Sequence, residues 1–190
     1  MRIVDLVKKE LLVRNQNYIE NVENYNFWES HIKYVVKNAL ELAEIYNADK
    51  EIVELGALLH DIALVSNVGT KANHHLNGAT IAEEILNNFE YPKEKTKRVV
   101  NCVLRHRSSK NATNIEELCV CDADILAHFD NIAMCFECAF NLHKIETVEE
   151  ATKWVRAGFE KDYNDLSEQT KSVFCERYKT IMDVLFGRLF

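Results

Sequence analysis

The chain has 190 residues, 23 basic against 30 acidic, for a formal charge of −7, and is 47% hydrophobic and 28% charged. That size fits one domain with apolar mass enough for a core. The acid balance excludes a protein devoted to nucleic-acid backbone, which needs a basic surplus. Five Gly and one Pro are too few for the turns of an all-β fold or the glycine-rich strand-to-helix turns of a parallel α/β fold, so an all-α class is expected.

Helical periodicity runs through the whole chain. The opening MRIVDLVKKELLV places Ile3, Leu6, Val7 and Leu11 at helical spacing over residues 1–14 and mixes charge into its first turns, unlike a secretory signal. Asn26 with Glu29 forms a capping box for a helix through Tyr46, with Trp28, Ile32, Val35, Val36, Leu42 and Ile45 inward. Asp49 caps a helix to about residue 63, and Leu64–Asn73 reads as a loop. Asn73 begins a helix through Phe89, and Pro92 sits in the first turn of another ending near Arg107. SSKNATN is a polar loop, after which Asn114 and Glu117 cap a helix drawn to about Lys144. Thr147 with Glu150 and then Ser167 open the last two. The expectation is a single domain, a helical bundle of seven or eight helices. No stretch reaches the ~18 apolar residues of a membrane span. Six cysteines without export signals point to free thiols and a cytoplasmic location.

The histidines carry the chemistry. His31 lies early in its helix, on the stripe of Val35 and Leu42; His60 closes the apolar run ELGALL and is followed by Asp61; His106 continues the stripe of Val99 and Val103. Asp122 and Asp124 sit in VCDADILAHF, an apolar setting where a carboxylate is costly unless paired or metal-bound. Imidazoles and carboxylates entering a core from several helices are how bundles build metal sites.

The order of these residues resembles the HD superfamily of metal-dependent phosphohydrolases. The resemblance spans about residues 26–130, in WESHIKYVVKNALELA, ELGALLHDIAL, HHLNGATIAEEIL, VVNCVLRH and CDADILAHF. It implies a first metal held by His31, His60, Asp61 and Asp124, the acid after Ala being the ligand in place of Asp122. It implies a second site using His74 and His106, with Asp61 bridging the two ions. The family spacing to Gly-Ala favours His74 over His75, which is left to touch substrate or cap its helix. The implied cofactor is one or two divalent transition-metal ions; histidine with carboxylate suits Fe, Mn, Co, Ni or Zn better than Mg or Ca. Such ions lower the pKa of a shared water from ~15.7 towards neutrality, and the resulting hydroxide would attack phosphorus in line. Asp61 is accordingly a ligand first and a proton acceptor second.

The expected partner is a small phosphorylated substrate, a nucleotide being the leading class, with a homodimer as a further possibility. Lys71, Arg105 and Arg107 are candidate phosphate contacts, Arg by its bidentate fork; Lys93, Lys95 and Lys97 read as a solvated face. Ile62–Val65 replace the acidic residues that follow His-Asp in the stringent-response nucleotide hydrolases and in the deoxynucleoside monophosphatases of the family, and no Gly-Tyr-Pro of the cyclic-di-GMP enzymes follows His106. The two extra histidines bring the pattern nearer the two-metal hydrolases of dinucleoside polyphosphates. Two other classes compete: a dinuclear-iron oxygenase on the same scaffold, and a non-catalytic nucleotide-binding regulator with a structural metal. Cys119, Cys121, Cys135 and Cys138 read as buried structural thiols, His128 as a neighbour of Asp124 and His143 as surface. The aromatics of residues 145–190 (Trp154, Phe159, Tyr163, Phe174, Tyr178, Phe186, Phe190) suggest helices packed on the core or on a second subunit.

Overall fold

A computed structural model describes residues 1–187; Phe190 lies outside the described residues. They fold as α1 (Ile3–Asn21), α2 (Lys33–Tyr46), α3 (Lys50–Leu59), α4 (Ile62–Val65), α5 (His74–Asn88), α6 (Lys93–Arg105), α7 (Ile115–Asp130), α8 (Ile132–Glu137), α9 (Val148–Asp165) and α10 (Glu168–Phe186), without a strand among the described residues. A π turn at Trp28–Ile32 leads into α2, another at Cys138–Leu142 follows α8, and a 3-10 turn at Ser109–Asn111 sits in the polar loop.

The caps read from sequence close locally. Asn26 Oδ1 accepts the Glu29 amide at 3.1 Å. Asp49 accepts the amides of Glu51 and Ile52, Asn114 that of Glu117, Thr147 that of Glu150 and Ser167 that of Thr170. Each satisfies a donor that a helix start otherwise orphans.

Ten helices appear because two expected ones divide. The helix capped by Asp49 stops at Leu59 and restarts at Ile62, with Asp61 at φ −106°, ψ 18°. The helix drawn from Asn114 to Lys144 breaks at Asn131, whose Nδ2 donates to the Ser30 carbonyl at 2.7 Å while its Oδ1 caps α8. Conversely, α1 continues seven residues past Arg14, through NQNYIEN, where apolar periodicity lapses. Asn15 there is buried and donates to Asn26 Oδ1 at 2.9 Å, tying α1 to the start of the His31 helix. Ile45, expected inward, is 53% exposed.

One apolar cluster extends from Val4 to Phe174. Within it α2 lies along α7, α5 along α6, and α3 touches α2, α6 and α7. The close approach of α3 to α6 depends on Gly56, where a Cβ would stand 2.8 Å from Cys102 Cβ and 3.0 Å from Val120 Cγ2. That crossing sets His60 beside His106, one turn past Gly56 and at the end of α6. The aromatic C-terminal segment packs on this core: Phe129 of α7 meets Phe159 of α9 at 4.6 Å and Phe174 of α10 at 5.1 Å, and Tyr163 stacks on Tyr178 at 3.9 Å.

Candidate metal centre

Six side chains from five parts of the chain converge. His31 comes from the π turn before α2, and His60 and Asp61 from the break between α3 and α4. His74 opens α5, His106 ends α6, and Asp124 lies in the middle of α7. The break is what makes His60-Asp61 useful. In a continuous helix, successive side chains diverge by about 100°; the turn at Asp61 lets both adjacent residues face one point.

The ligand atoms form two groups of three, His31–His60–Asp124 and Asp61–His74–His106. In the first, His31 Nε2 lies 2.9 Å from Asp124 Oδ1 and 3.2 Å from His60 Nε2. In the second, His74 Nε2 is 2.9 Å from His106 Nε2 and 3.2 Å from Asp61 Oδ1. Asp61 joins them: its Oδ2 is 3.5 Å from His60 Nε2 and 4.0 Å from His31 Nε2, while Oδ1 faces His74 and His106.

The donor chemistry fits cations at these points. His60, His74 and His106 each donate Nδ1–H to the carbonyl three residues earlier, on Ala57, Lys71 and Val103, at 2.7, 2.7 and 2.6 Å. That fixes the tautomer and leaves each Nε2 as a bare acceptor, the arrangement of metal-ligating histidine. Two such acceptors 2.9 Å apart repel unless positive charge sits beside them. Protons compete with cations for these nitrogens. Burial opposes charge on His60, yet Asp61 and Asp124 raise it to about 9. His106 is pushed down to about 4 by burial and by the neighbouring His60. Burial pushes the Asp61 carboxyl up, but His60, His74 and His106 outweigh it and hold it well below the usual range.

The remaining sequence candidates separate. His75 is half-buried beside Arg107, whose charge reinforces burial in lowering its pKa. Lys71 is exposed on the loop before His74. Arg107 is exposed and donates to the Ala72 carbonyl at 2.8 Å. Arg105 is not brought to the donors: its Nη1 binds Glu117 Oε1 and Thr113 Oγ1, both at 2.7 Å. Asp122 also points elsewhere. It is fully buried and accepts from the Ser167 amide at 3.1 Å and the Thr170 hydroxyl at 2.6 Å. His128 pairs with Asp162 at 2.8 Å. Cys119, Cys121 and Cys135 are buried, and burial pushes Cys119 and Cys135 up to about 12. Cys121 donates to the Arg105 carbonyl at 3.2 Å. The sequence reading placed nothing from α9 near the centre; Asp162 is 34 residues from its partner, and no local pattern announces it.

The chain belongs to the HD domain family, whose model matches residues 28–128, more than half its length. Among solved structures it is similar to an HD-superfamily hydrolase from Bacillus thuringiensis, with TM-score 0.68 and 19% identity over 97% of this chain and 95% of that one. It is also similar to a predicted HD superfamily hydrolase from an uncultured Thermotogales bacterium, with TM-score 0.58 and 21% identity over 90% of each chain. At those identities the likeness is one of fold. An uncharacterized protein of Clostridium beijerinckii is 29% identical over 76 residues, 40% of this chain and 48% of that relative, so the match spans about half the relative's length. No helix among the described residues is long and apolar enough to cross a membrane.

Proposed function

We propose that this chain is a metal-dependent phosphohydrolase acting on a phosphoester or phosphoanhydride of a small substrate, with a nucleotide as the leading class. The observation that carries the reading is Asp61, one carboxylate with an oxygen turned to each of two histidine-rich triads. Divalent transition-metal ions held there supply Lewis acidity and an activated water. His31, His60 and Asp124 would hold one ion and His74 and His106 another, with Asp61 offering an oxygen towards each group. Lys71 and Arg107, both exposed, and His75, next to His74, can receive phosphoryl oxygens, while Arg105 is tied to Glu117. Because the chain is acidic overall, most of the positive charge meeting the substrate would come from bound ions.

The test couples metal analysis of gently purified protein to a phosphoester screen under anaerobic conditions with Mn, Fe, Co and Ni. Asp61→Ala is expected to lose metal and to reduce phosphate release at least a thousandfold, about 4 kcal/mol of transition-state stabilisation. A metal-free wild type, or an Asp61→Ala variant that keeps both metal and activity, sinks the reading. Air-dependent oxidation of substrate without anaerobic phosphate release would transfer the site to oxygenase chemistry. Tight nucleotide binding without turnover would make it a regulator.

A further inference from the structure

Three of the four converging histidines share an anchor, and the fourth does not. His60, His74 and His106 are each fixed by an Nδ1–H bond to the backbone carbonyl three residues earlier. His31 Nδ1 is buried and has no hydrogen-bond partner. Its place in a π turn accounts for this: the Trp28 carbonyl, three residues back, accepts the Lys33 amide instead. Yet His31 Nε2 is held 2.9 Å from Asp124, as closely as any donor in the centre. Something other than a backbone carbonyl orients this ring.

Besides His60, the ring that packs beside His31 is that of His128. Its ring lies against that of His31 with centroids 5.6 Å apart and planes inclined by 25°, a stacked arrangement. His128 stands one turn beyond Asp124 on α7, and its Nδ1 is bound at 2.8 Å to Asp162 of α9. We propose that His128 and Asp162 form a positioning pair: Asp162 locks the His128 ring, and the His128 face holds His31 in its ligand orientation. The C-terminal helices, beyond the part of the chain matched by the family model, thus take part in building the metal centre. The pair reaches the first triad only; His74 and His106 have their own carbonyl anchors. Outer partners of this kind typically alter metal affinity by about 10–100-fold.

The inference rests on the metal-centre reading, and titration of the full-length protein with Co2+ alone, followed by visible absorption and calorimetry, separates the two. Wild type that takes up no Co2+ overturns the reading of the centre itself. If wild type binds, Asp162→Ala and His128→Ala are expected to weaken Co2+ binding at least tenfold and to change the absorption bands of the bound ion. Asp162→Asn, which keeps an acceptor oxygen for His128 Nδ1–H, is expected to stay within about threefold of wild type. The loss should persist in a His74→Ala background, since His74 belongs to the other triad. Unchanged affinity and bands in Asp162→Ala and His128→Ala overturn the proposal, as does a loss that vanishes with His74. Should Asp162→Ala fail to give a helical circular-dichroism spectrum, His128→Gln carries the test. It retains an amide donor for Asp162 but removes the flat ring from His31, and wild-type Co2+ binding in it is equally fatal.

Discussion

Arg105 and Arg107 flank His106 and have different attachments. Arg107 reaches the Ala72 carbonyl, beside Lys71, whose own carbonyl anchors His74. Arg105 meets Glu117, which is fully buried and also accepts from the Thr113 amide and hydroxyl at 2.7 and 2.9 Å. Removing the Arg105 charge leaves a buried carboxylate short of a donor, so Arg105→Met is expected to cost about 2–3 kcal/mol in urea unfolding. KM per folded molecule should stay unchanged; a tenfold rise in KM at unaltered stability would return Arg105 to the substrate. The pH dependence has a definite sign. Burial pushes the Glu117 carboxyl up, but its bonds from Thr113 and Arg105 prevail and its pKa is lowered below 4.5. A depressed carboxylate contributes stability above its unfolded value and loses it as pH falls through the folded one. Glu117→Gln should therefore flatten the fall in stability below about pH 4.5, measured as the urea midpoint against pH.

At the level of elements, what the sequence discloses is what short-range bonds determine. The caps at Asn26, Asp49, Asn114, Thr147 and Ser167 were legible because each closes on an amide two or three residues ahead. The set His31, His60-Asp61, His74, His106 and Asp124 was legible through the resemblance to the HD superfamily, not from helix periodicity alone, and all six converge. The breaks at Asp61 and Asn131 were not legible, since long-range contacts compete with helix continuation; Asn131 bonds a carbonyl 101 residues away. Nor did periodicity distinguish the exposed Ile45 from its buried neighbours. The α3–α6 crossing is a third such case, because it hangs on a missing Cβ at Gly56. Gly56→Ala must move Cys102 or Val120, whose atoms stand 2.8 and 3.0 Å away. The overpacking should cost about 1–3 kcal/mol although alanine is the better helix former. Because α3 carries His60 and α6 carries His106, Co2+ affinity should fall along with the melting temperature. A variant as stable as wild type would show that the helices separate freely there.

Across the whole molecule, the two acids of the DAD segment divide the work of holding the chain together. Asp124 faces the imidazoles, whereas Asp122 turns to the C-terminal segment and receives Ser167 and Thr170 at the start of α10. Thr170 is in turn bonded to the Tyr46 hydroxyl at 2.9 Å, so one buried carboxylate joins α2, α7 and α10. Phe129, Phe159 and Phe174 supply apolar contact around the same junction. Burial raises the Asp122 pKa despite these donors. The sign here is opposite to that of Glu117: the proton favours the folded form, and stability from this group declines as pH rises from 3.8 through its raised value. Asp122→Asn keeps an acceptor, removes that decline and should cost no more than about 1 kcal/mol at neutral pH. Asp122→Ala orphans several buried donors and should cost about 2–4 kcal/mol. If the second acid is purely a latch, both variants bind Co2+ as wild type does when folded. A weakened metal site in folded Asp122→Asn would instead mean that the latch and the centre are one cooperative unit, coupled along α7.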